Sequence, residues 1–300
     1  MTHARTHLTS QWLPFAFLAP AAALLLVFLA YPLVDAILLS FKAWDGIRPA
    51  TWIGLGNYTA LLQDRIFWLA LGNTAYFTVA AVAFQTTVPL LVANLLNSGI
   101  RGSAVFRTLF FMPVIISLAI TGLLWSMIFE PNFGILNEFL RSLGFRSTPL
   151  WLADKQTVIP SILVVSIWQS LGFYLVIYFA ALQGIPQELY EAASIDGSNA
   201  WHRLRHITVP MLRPVMTLVI VLNTINGIKV FDQIWVMTAG GPNHASDTLG
   251  TYLYSTAFGA MGSSNPQLGY ATAIAVVILG SSFVLSVAQI RLGRPGEVEY

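Results

Sequence analysis

Cysteine is absent from this 300-residue sequence, and charged residues are scarce. Without a thiol, the chain forms no disulfide, has no thiol nucleophile and offers no thiolate to a metal. Charged residues make up 9% of the chain, against about 25% in soluble domains, whereas 56% of its residues are hydrophobic. So few charges cannot cover a soluble protein of this length. The composition therefore indicates an integral membrane protein, and a net charge of +2 predicts no nucleic-acid partner.

Motifs for enzymatic chemistry are also missing. No Gly-x-x-x-x-Gly-Lys-Ser/Thr loop is present, so we expect that this chain does not itself hydrolyse ATP. It has neither a Gly-x-Ser-x-Gly elbow nor a carboxylate pair suited to glycoside hydrolysis. His202 and His206 have the spacing of two zinc ligands on a helix, but no third ligand accompanies them, which favours a solvated helix face. We expect no active site, metal or cofactor in this chain.

Long apolar runs are abundant. Each is long enough to cross a hydrocarbon core of ~30 Å as a helix. They predict one all-α integral membrane domain, residues 1–300, with six transmembrane helices at 12–34, 68–96, 106–129, 158–182, 211–230 and 268–290. The small residues at 19–22 would suit a signal peptide, but the first run continues well past them, which favours an uncleaved anchor.

Basic residues predict the orientation of these spans. Lys and Arg are denser in the N-terminus, the 97–105 loop, the segment between the fourth and fifth spans and the C-terminus. The longer segments 35–67, 130–156 and 231–267 have fewer per residue. The excess of positive charge marks the cytoplasmic side. We therefore expect both termini in the cytoplasm and the three longer segments on the opposite side.

The polar stretch from Ile185 to Pro214 interrupts the apolar pattern and must lie outside the lipid. Pro186 suits the first position of a helix, and Glu188 follows where the helix dipole favours negative charge. Gly197 permits a turn with positive φ, and Ser198 or Asn199 can cap a second helix. The stretch predicts a short helix, a glycine turn and a second helix.

Within this stretch Glu191-Ala192-Ala193, Asp196-Gly197, Ile207 and Pro210 resemble the EAA signature of permease subunits in binding-protein-dependent ABC importers. Glu-Ala-Ala is also a good helix-forming tripeptide, but the spacing of the other residues favours the signature. The resemblance implies a type I ABC importer transmembrane domain whose segment 185–208 docks onto a separate ATPase subunit. The expected coupling residues are Glu191, Ala192, Ala193, Asp196, Gly197 and Pro210.

The stretch from Phe231 to Asn243 resembles the segment after the fifth span in carbohydrate-uptake permeases of the maltose-permease type. It can equally be an interfacial turn, with Trp235 as a headgroup anchor. The resemblance covers about residues 70–290 and makes 12–34 the extra N-terminal helix of that class. Residues 35–67 are too few for the large extracytoplasmic insertion of the maltose permease itself. A sugar is the expected solute, with glycerol-phosphate or another polyol-like solute as the alternative.

Polar residues within the spans are the candidate substrate contacts. Asn223, Asn226 and Lys229 recur every three residues of the fifth span, which predicts one polar helix face. Gln169 and Tyr174 in the fourth span would add an amide and an aromatic group. Such residues normally face a water-filled path or the bundle interior. The alternative is that the asparagines form hydrogen bonds between helices.

The resemblance implies a pore-forming permease subunit in the bacterial inner membrane, surrounded by lipid. Its expected partners are a second permease subunit, two ATP-binding subunits that carry ATP and Mg²⁺, and an extracytoplasmic substrate-binding protein. A secondary transporter would show repeats or coupling carboxylates in its spans, which are nearly free of acids here. A membrane-bound enzyme would need the catalytic groups that the sequence lacks.

Overall fold

The computed structural model describes residues 13–259 and 266–293. In these ranges nearly all regular structure is helical. The helices are α1 (Leu13–Leu25), α2 (Tyr31–Leu39), α3 (Gly56–Gln63), α4 (Arg65–Asn97), α5 (Ser103–Ile115), α6 (Leu118–Ile128), α7 (Ile135–Ser142), α8 (Val158–Leu182), α9 (Gln187–Ile195), α10 (Ala200–Arg203), α11 (Val209–Met211), α12 (Arg213–Ile228), α13 (Asp232–Thr238), α14 (Leu249–Phe258) and α15 (Leu268–Gly293). Strands β1 (Lys42–Ala43) and β2 (Thr51–Trp52) form an antiparallel hairpin, and π-helical turns at Leu26–Ala30 and Leu204–Thr208 join α1 to α2 and α10 to α11.

Four described helices are long and apolar enough to cross a membrane without a sharp bend. They are Phe17–Leu39, formed by α1, the π turn and α2, together with α4, α8 and α15. Two bent pairs raise the number to six if each pair crosses once. The all-α membrane fold predicted from the apolar runs is therefore confirmed, and α8 has the same bounds as the predicted fourth span.

The first span ends five residues later than predicted. The helix continues to Leu39 because Ala36 to Leu39 remain apolar after the single acid Asp35. The chain turns at Ser40, whose buried hydroxyl donates to the Ile37 carbonyl over 2.6 Å and lies 2.7 Å from the Tyr58 hydroxyl. The prediction that residues 35–39 lie outside the membrane-spanning helix is wrong.

The third predicted span is not one straight helix. α5 and α6 meet at 98°. Pro113 cannot donate a backbone hydrogen bond within α5, Ile116 is extended (φ −75°, ψ 134°), and Ser117 caps a new helix. Hydropathy is continuous through this region, which is why the apolar run gave no sign of the break.

The fifth predicted span is shorter than expected and is also bent. The helix from Ala200 to Met211 meets α12 at 74° near Leu212. Pro214 lies in the first turn of α12, where a missing N–H is tolerated. The same missing N–H prevents the helical hydrogen bonds from continuing through the bend. The straight segment is therefore Arg213–Ile228, rather than the predicted 211–230.

The bundle is organised around α4, which packs against α8 and α12, while α12 packs against α15. At one end of the bundle, Asp64 caps α4 and accepts hydrogen bonds from the hydroxyls of Tyr252 and Tyr270. These contacts join α4, α14 and α15. The pKa of Asp64 lies below its ordinary value. Partial burial alone would raise that pKa, but hydrogen bonds from the two tyrosines and from nearby backbone N–H groups lower it by more.

Candidate functional site: a polar cavity and a helical elbow

A cavity of about 560 Å³ lies between α4, the α5–α6 break, α8 and the segment that joins α12 to α13. Amide and hydroxyl side chains face it beside aromatic rings. Its polar lining comprises Gln85, Ser117, Ser166, Gln169, Ser170, Tyr174, Asn226, Lys229, Asp232 and Gln233, and Phe77, Phe173 and Phe231 add apolar faces. Hydroxyl-rich solutes need such a combination, because amides bind their hydroxyls and rings cover their apolar surfaces.

Four of the five predicted pathway residues line this cavity: Gln169, Tyr174, Asn226 and Lys229. Asn226 is exposed and lines the cavity together with Tyr174. Lys229 ends α12 and, within the described residues, forms no ion pair. The structure therefore groups residues from two separate spans at one site.

Asn223 is not among the residues that line the cavity. It is 1% exposed, and within the described part of the chain neither of its amide atoms has a hydrogen-bond partner. Positions three apart on an α-helix differ by about 60° in direction, so Asn223 and Lys229 point about 120° apart. The prediction of one shared polar face was wrong for this reason.

Sequence reasoning missed Gln85 and Gln233. Gln85 lies inside the apolar sequence of α4, is 6% exposed and donates to the Ser166 hydroxyl over 3.1 Å. Gln233 is 3% exposed, and its Nε2 donates to Oε1 of Gln169 over 2.6 Å. The criterion that selected Gln169, a polar side chain in an apolar span, would have found Gln85. Gln233 lay in the stretch that was interpreted only as a resemblance and an interfacial turn.

At the other end of α8, the helical elbow has the geometry that the sequence predicts. α9 ends in a Schellman motif: Ser198 N–H donates to the Ala193 carbonyl over 2.9 Å, and Gly197 N–H to Ser194 over 3.1 Å. Gly197 has φ +77° and open space around its Cα. Asn199 caps α10 by accepting from His202 N–H over 2.8 Å. Helix α9 begins at Gln187, so Pro186 precedes its first residue.

The predicted coupling residues lie along this elbow. Glu191, Ala192, Asp196 and Gly197 are exposed, and Ala193 is half-buried. Gln187 Nε2 donates to the Glu191 carboxylate over 2.9 Å, which orients that charge along the helix. Pro210 stands at the start of α11, well after the turn. The small side chains of Ala192 and Ala193 leave the α9 backbone open to close approach.

A hydrogen bond fixes the two arms of the elbow to each other. The hydroxyls of Tyr190 in α9 and Thr208 in the π turn lie 3.0 Å apart, and Thr208 is fully buried. Arg203 also donates to the Ser194 hydroxyl over 3.1 Å. The two arms of the elbow are therefore joined by side-chain hydrogen bonds as well as by the turn at Gly197.

The segment after α13 forms a compact turn at the opposite end of the bundle. Ala239, Asn243 and His244 have positive φ values of 48°, 49° and 63°. Asp247, which is 3% exposed, lies 2.6 Å from Nδ1 of His244. Burial raises the pKa of Asp247, although His244 and Thr251 partly oppose this. Within the described ranges, no cluster of three His, Asp or Glu residues could hold a metal ion.

A bundle of apolar helices with an internal polar cavity and an exposed helical elbow defines a multi-pass transport protein. The sequence profile described as "Binding-protein-dependent transport system inner membrane component" matches residues 85–294, and the chain belongs to this family. It is thus a subunit of a transport system.

Individual proteins resemble the chain over almost its whole length. It is 36% identical over 291 residues to the probable ABC transporter permease protein YurN of Bacillus subtilis (strain 168), covering 96% of this chain and 98% of that one. It is 35% identical over 282 residues to the lactose transport system permease protein LacF of Rhizobium radiobacter, covering 93% of both chains. Among solved structures, a chain of a bacterial ABC transporter for import of the acidic polysaccharide alginate gives a TM-score of 0.81 at 25% identity, covering 94% of this chain and 95% of that one.

Proposed function

We propose that this chain is one pore-forming half of an ATP-driven sugar importer, with the cavity as its share of the substrate path. The observation that carries the proposal is the lining: four amides, several hydroxyls and four aromatic rings surround about 560 Å³ inside an apolar bundle. Amide-rich linings are costly inside a membrane and are typical of a polar substrate path. Relatives named for lactose and arabinooligosaccharide transport support a carbohydrate as the solute.

The charges of the lining favour an uncharged solute over glycerol-phosphate. Lys229 supplies one ammonium and Asp232 one carboxylate, so the cavity wall has little net charge. A phosphate group carries up to two negative charges and is normally bound by several basic groups or by backbone N–H groups. Binding of candidate solutes to the cognate binding protein, measured by calorimetry, would identify which solute the system takes.

The elbow, residues 185–208, is the proposed docking surface for an ATPase subunit. Glu191, Asp196 and the flat surface at Ala192 would contact that subunit, and the Schellman turn at Gly197 would hold the two arms at a fixed angle. We propose an assembly of this chain, a second permease, two ATP-binding subunits that bind ATP and Mg²⁺, and an extracytoplasmic binding protein. Closure of the ATPase pair would move α9 and, through Tyr190 and Thr208, the helix leading into α12.

This arrangement requires the elbow and both termini to face the cytoplasm. Because the chain has no cysteine, labelling of a single introduced cysteine shows on which side of the membrane that position lies. Ser98 and Asn243 are both exposed and lie at opposite ends of the bundle. We expect a membrane-impermeant maleimide to label Asn243→Cys in intact spheroplasts and to label Ser98→Cys only after permeabilisation. The reverse pattern would overturn both the orientation and the docking role of the elbow.

The substrate role of the cavity is tested by one substitution made at two positions of α12. Asn226→Leu removes an amide that faces the cavity, which would leave a solute hydroxyl unpaired at a cost of about 1–3 kcal/mol. We expect uptake to fall roughly ten- to a hundredfold at equal membrane abundance. Asn223→Leu, the matched control, removes an amide that lies outside the cavity and has no partner among the described residues, so uptake should stay within about twofold.

Uptake is measured with the reconstituted transporter, and basal ATP hydrolysis shows whether each variant has assembled. Together they distinguish a role in the path from a role in packing. Equal loss in both variants would assign the asparagines to helix packing. Normal uptake in Asn226→Leu would remove this residue from the path.

A further inference from the structure

The two halves of the broken third span belong to different packing units. α5 lies against α8, where a Cβ atom on Gly172 would come within 2.2 Å of the Phe110 carbonyl oxygen. α6 lies against α13, where a Cβ atom on Gly122 would be 3.2 Å from the Val236 side chain. The break at Ile116 therefore lies between two packing units, α5 with α8 and α6 with α13. The second unit also meets α8, where Trp125 packs edge-on against Trp168 and Ile234 joins a buried apolar cluster.

The break leaves the Ile116 carbonyl without its helical partner. In a continuous helix the Ile116 carbonyl would accept from the N–H of Ile120, but that N–H is directed to the Ser117 hydroxyl. Nε2 of Gln169 donates to the Ile116 carbonyl instead, over 2.8 Å. A side chain of α8 thus satisfies the peptide group at the bend.

A second amide fixes the first. Gln233 on α13 donates through Nε2 to Oε1 of Gln169 over 2.6 Å, and these two side chains are 3% and 6% exposed. The hydrogen bonds run from α13 to α8 and on to the α5–α6 break, so they cross the boundary between the two packing units. Buried amide chains of this kind polarise one another and hold a single arrangement when every member is satisfied.

We propose that Gln233 is a positioning residue, which sets the angle of the α5–α6 break through Gln169. Residues 114–118 form one wall of the cavity, so the same hydrogen bonds determine its shape. When they are intact, they set the α5–α6 angle together with the apolar contacts of α6 and α13 on α8. When they are broken, only those apolar contacts remain to set that angle. The inference goes beyond the proposed function, because it holds for any transported solute.

The arrangement also assigns Gln169 an indirect part in transport. Its amide oxygen and one N–H are already engaged by Gln233 and Ile116. It therefore has limited capacity left for a solute, and its main effect is on the position of the wall. Asn226, which is exposed to the same cavity, has no such commitment to a helix break.

The angle of the break can be measured directly in the complete transporter. Leu109 in α5 and Leu123 in α6 are 55% and 58% exposed, so both accept a spin label after replacement by cysteine in the cysteine-free chain. We expect Gln233→Leu to shift or broaden the distance distribution between these labels by several ångströms, on the scale of interface and hinge motions.

Gln85→Leu provides the matched control. Gln85 is also a buried glutamine that lines the cavity, but its side chain donates to Ser166 and does not contact the break. The label distance should be unchanged in this variant. A distance unchanged in Gln233→Leu, or changed equally in both variants, would overturn the proposal. The distance does not depend on the solute, so failure of the sugar assignment leaves this test intact.

A double-mutant cycle in transport provides the second measurement. Gln169→Leu removes the hydrogen bonds with Ile116 and Gln233 and should lower uptake by about tenfold or more. If Gln233 acts through Gln169, adding Gln233→Leu to Gln169→Leu should cause no further loss of uptake. The double variant removes both amides, so neither glutamine side chain is left without its partner. Additive losses would mean that Gln233 acts separately and would contradict the proposal.

Discussion

Replacing Gly172 with alanine is expected to destabilise this chain strongly. A Cβ atom at that position would lie 2.2 Å from the Phe110 carbonyl oxygen and 2.6 Å from the Phe111 Cα atom. These are backbone atoms, which cannot rotate away as a side chain would. Overpacking in a well-packed interior costs about 1–3 kcal/mol, and here α5 must move away from α8. We expect a large fall in membrane abundance and in the melting temperature of the purified transporter.

Gly72→Ala is the matched control for this effect. Gly72 also lies inside a membrane helix, α4, but a Cβ atom there would meet nothing within 4 Å. Alanine has the higher helix propensity by about 1 kcal/mol, so this variant should be neutral or slightly more stable. If both variants are equally abundant and equally stable, the close contact of α8 with α5 is not needed for folding.

The straight spans, though not all of their ends, were predictable because they depend on composition alone. An apolar run of sufficient length has few alternatives to a membrane helix, and α8 begins and ends where its run does. The turn at Gly197 was also predictable, because a positive φ and a following Asn cap are local properties. In both cases the information is contained in neighbouring residues.

The breaks and the detailed lining of the cavity could not be predicted in this way. The Ile116 carbonyl at one bend is satisfied by Gln169, which accepts from Gln233, and these two pairs are 53 and 64 residues apart in sequence. Asn223 and Asn226 have the same side chain and lie three positions apart, yet one is buried and the other is exposed. Which of the two faces the cavity depends on how α12 is rotated against α4 and α15, and no local pattern gives that angle.

Loss of the Gly197 turn is expected to separate ATP hydrolysis from transport. Gly197→Val introduces a β-branched side chain at φ +77°, which costs about 1–2 kcal/mol and favours a different backbone turn. A Cβ atom at this position meets no neighbour within 4 Å, so the change acts mainly on the angle between the elbow arms. We expect normal membrane abundance but no stimulation of ATP hydrolysis by solute-loaded binding protein.

Gly144 supplies a matched control for the strain itself. It ends α7 in the same Schellman motif, with Phe145 N–H donating to Leu140 over 3.2 Å and Gly144 N–H to Arg141 over 2.9 Å. Its φ is +93°, and a Cβ atom there would also meet nothing within 4 Å. Gly144→Val therefore carries a similar backbone cost in a helix at the other end of the bundle, and stimulated ATP hydrolysis should remain.

A charge reversal tests the same surface without altering the turn. Glu191→Lys places a cation where the exposed carboxylate accepts from Gln187, whereas Glu191→Gln keeps the size and a hydrogen-bonding group. Reversal of a charge at an interface disfavours docking more than its neutralisation does, so stimulated hydrolysis should fall further in Glu191→Lys. Full stimulation of ATP hydrolysis in both Gly197→Val and Glu191→Lys would exclude the elbow from coupling. Equal loss of stimulation in Gly197→Val and Gly144→Val would mean that the defect comes from general destabilisation. Loss of stimulation confined to the elbow variants, with assembly intact, would mean that coupling to ATP hydrolysis depends on the angle of the elbow and on the charge of α9.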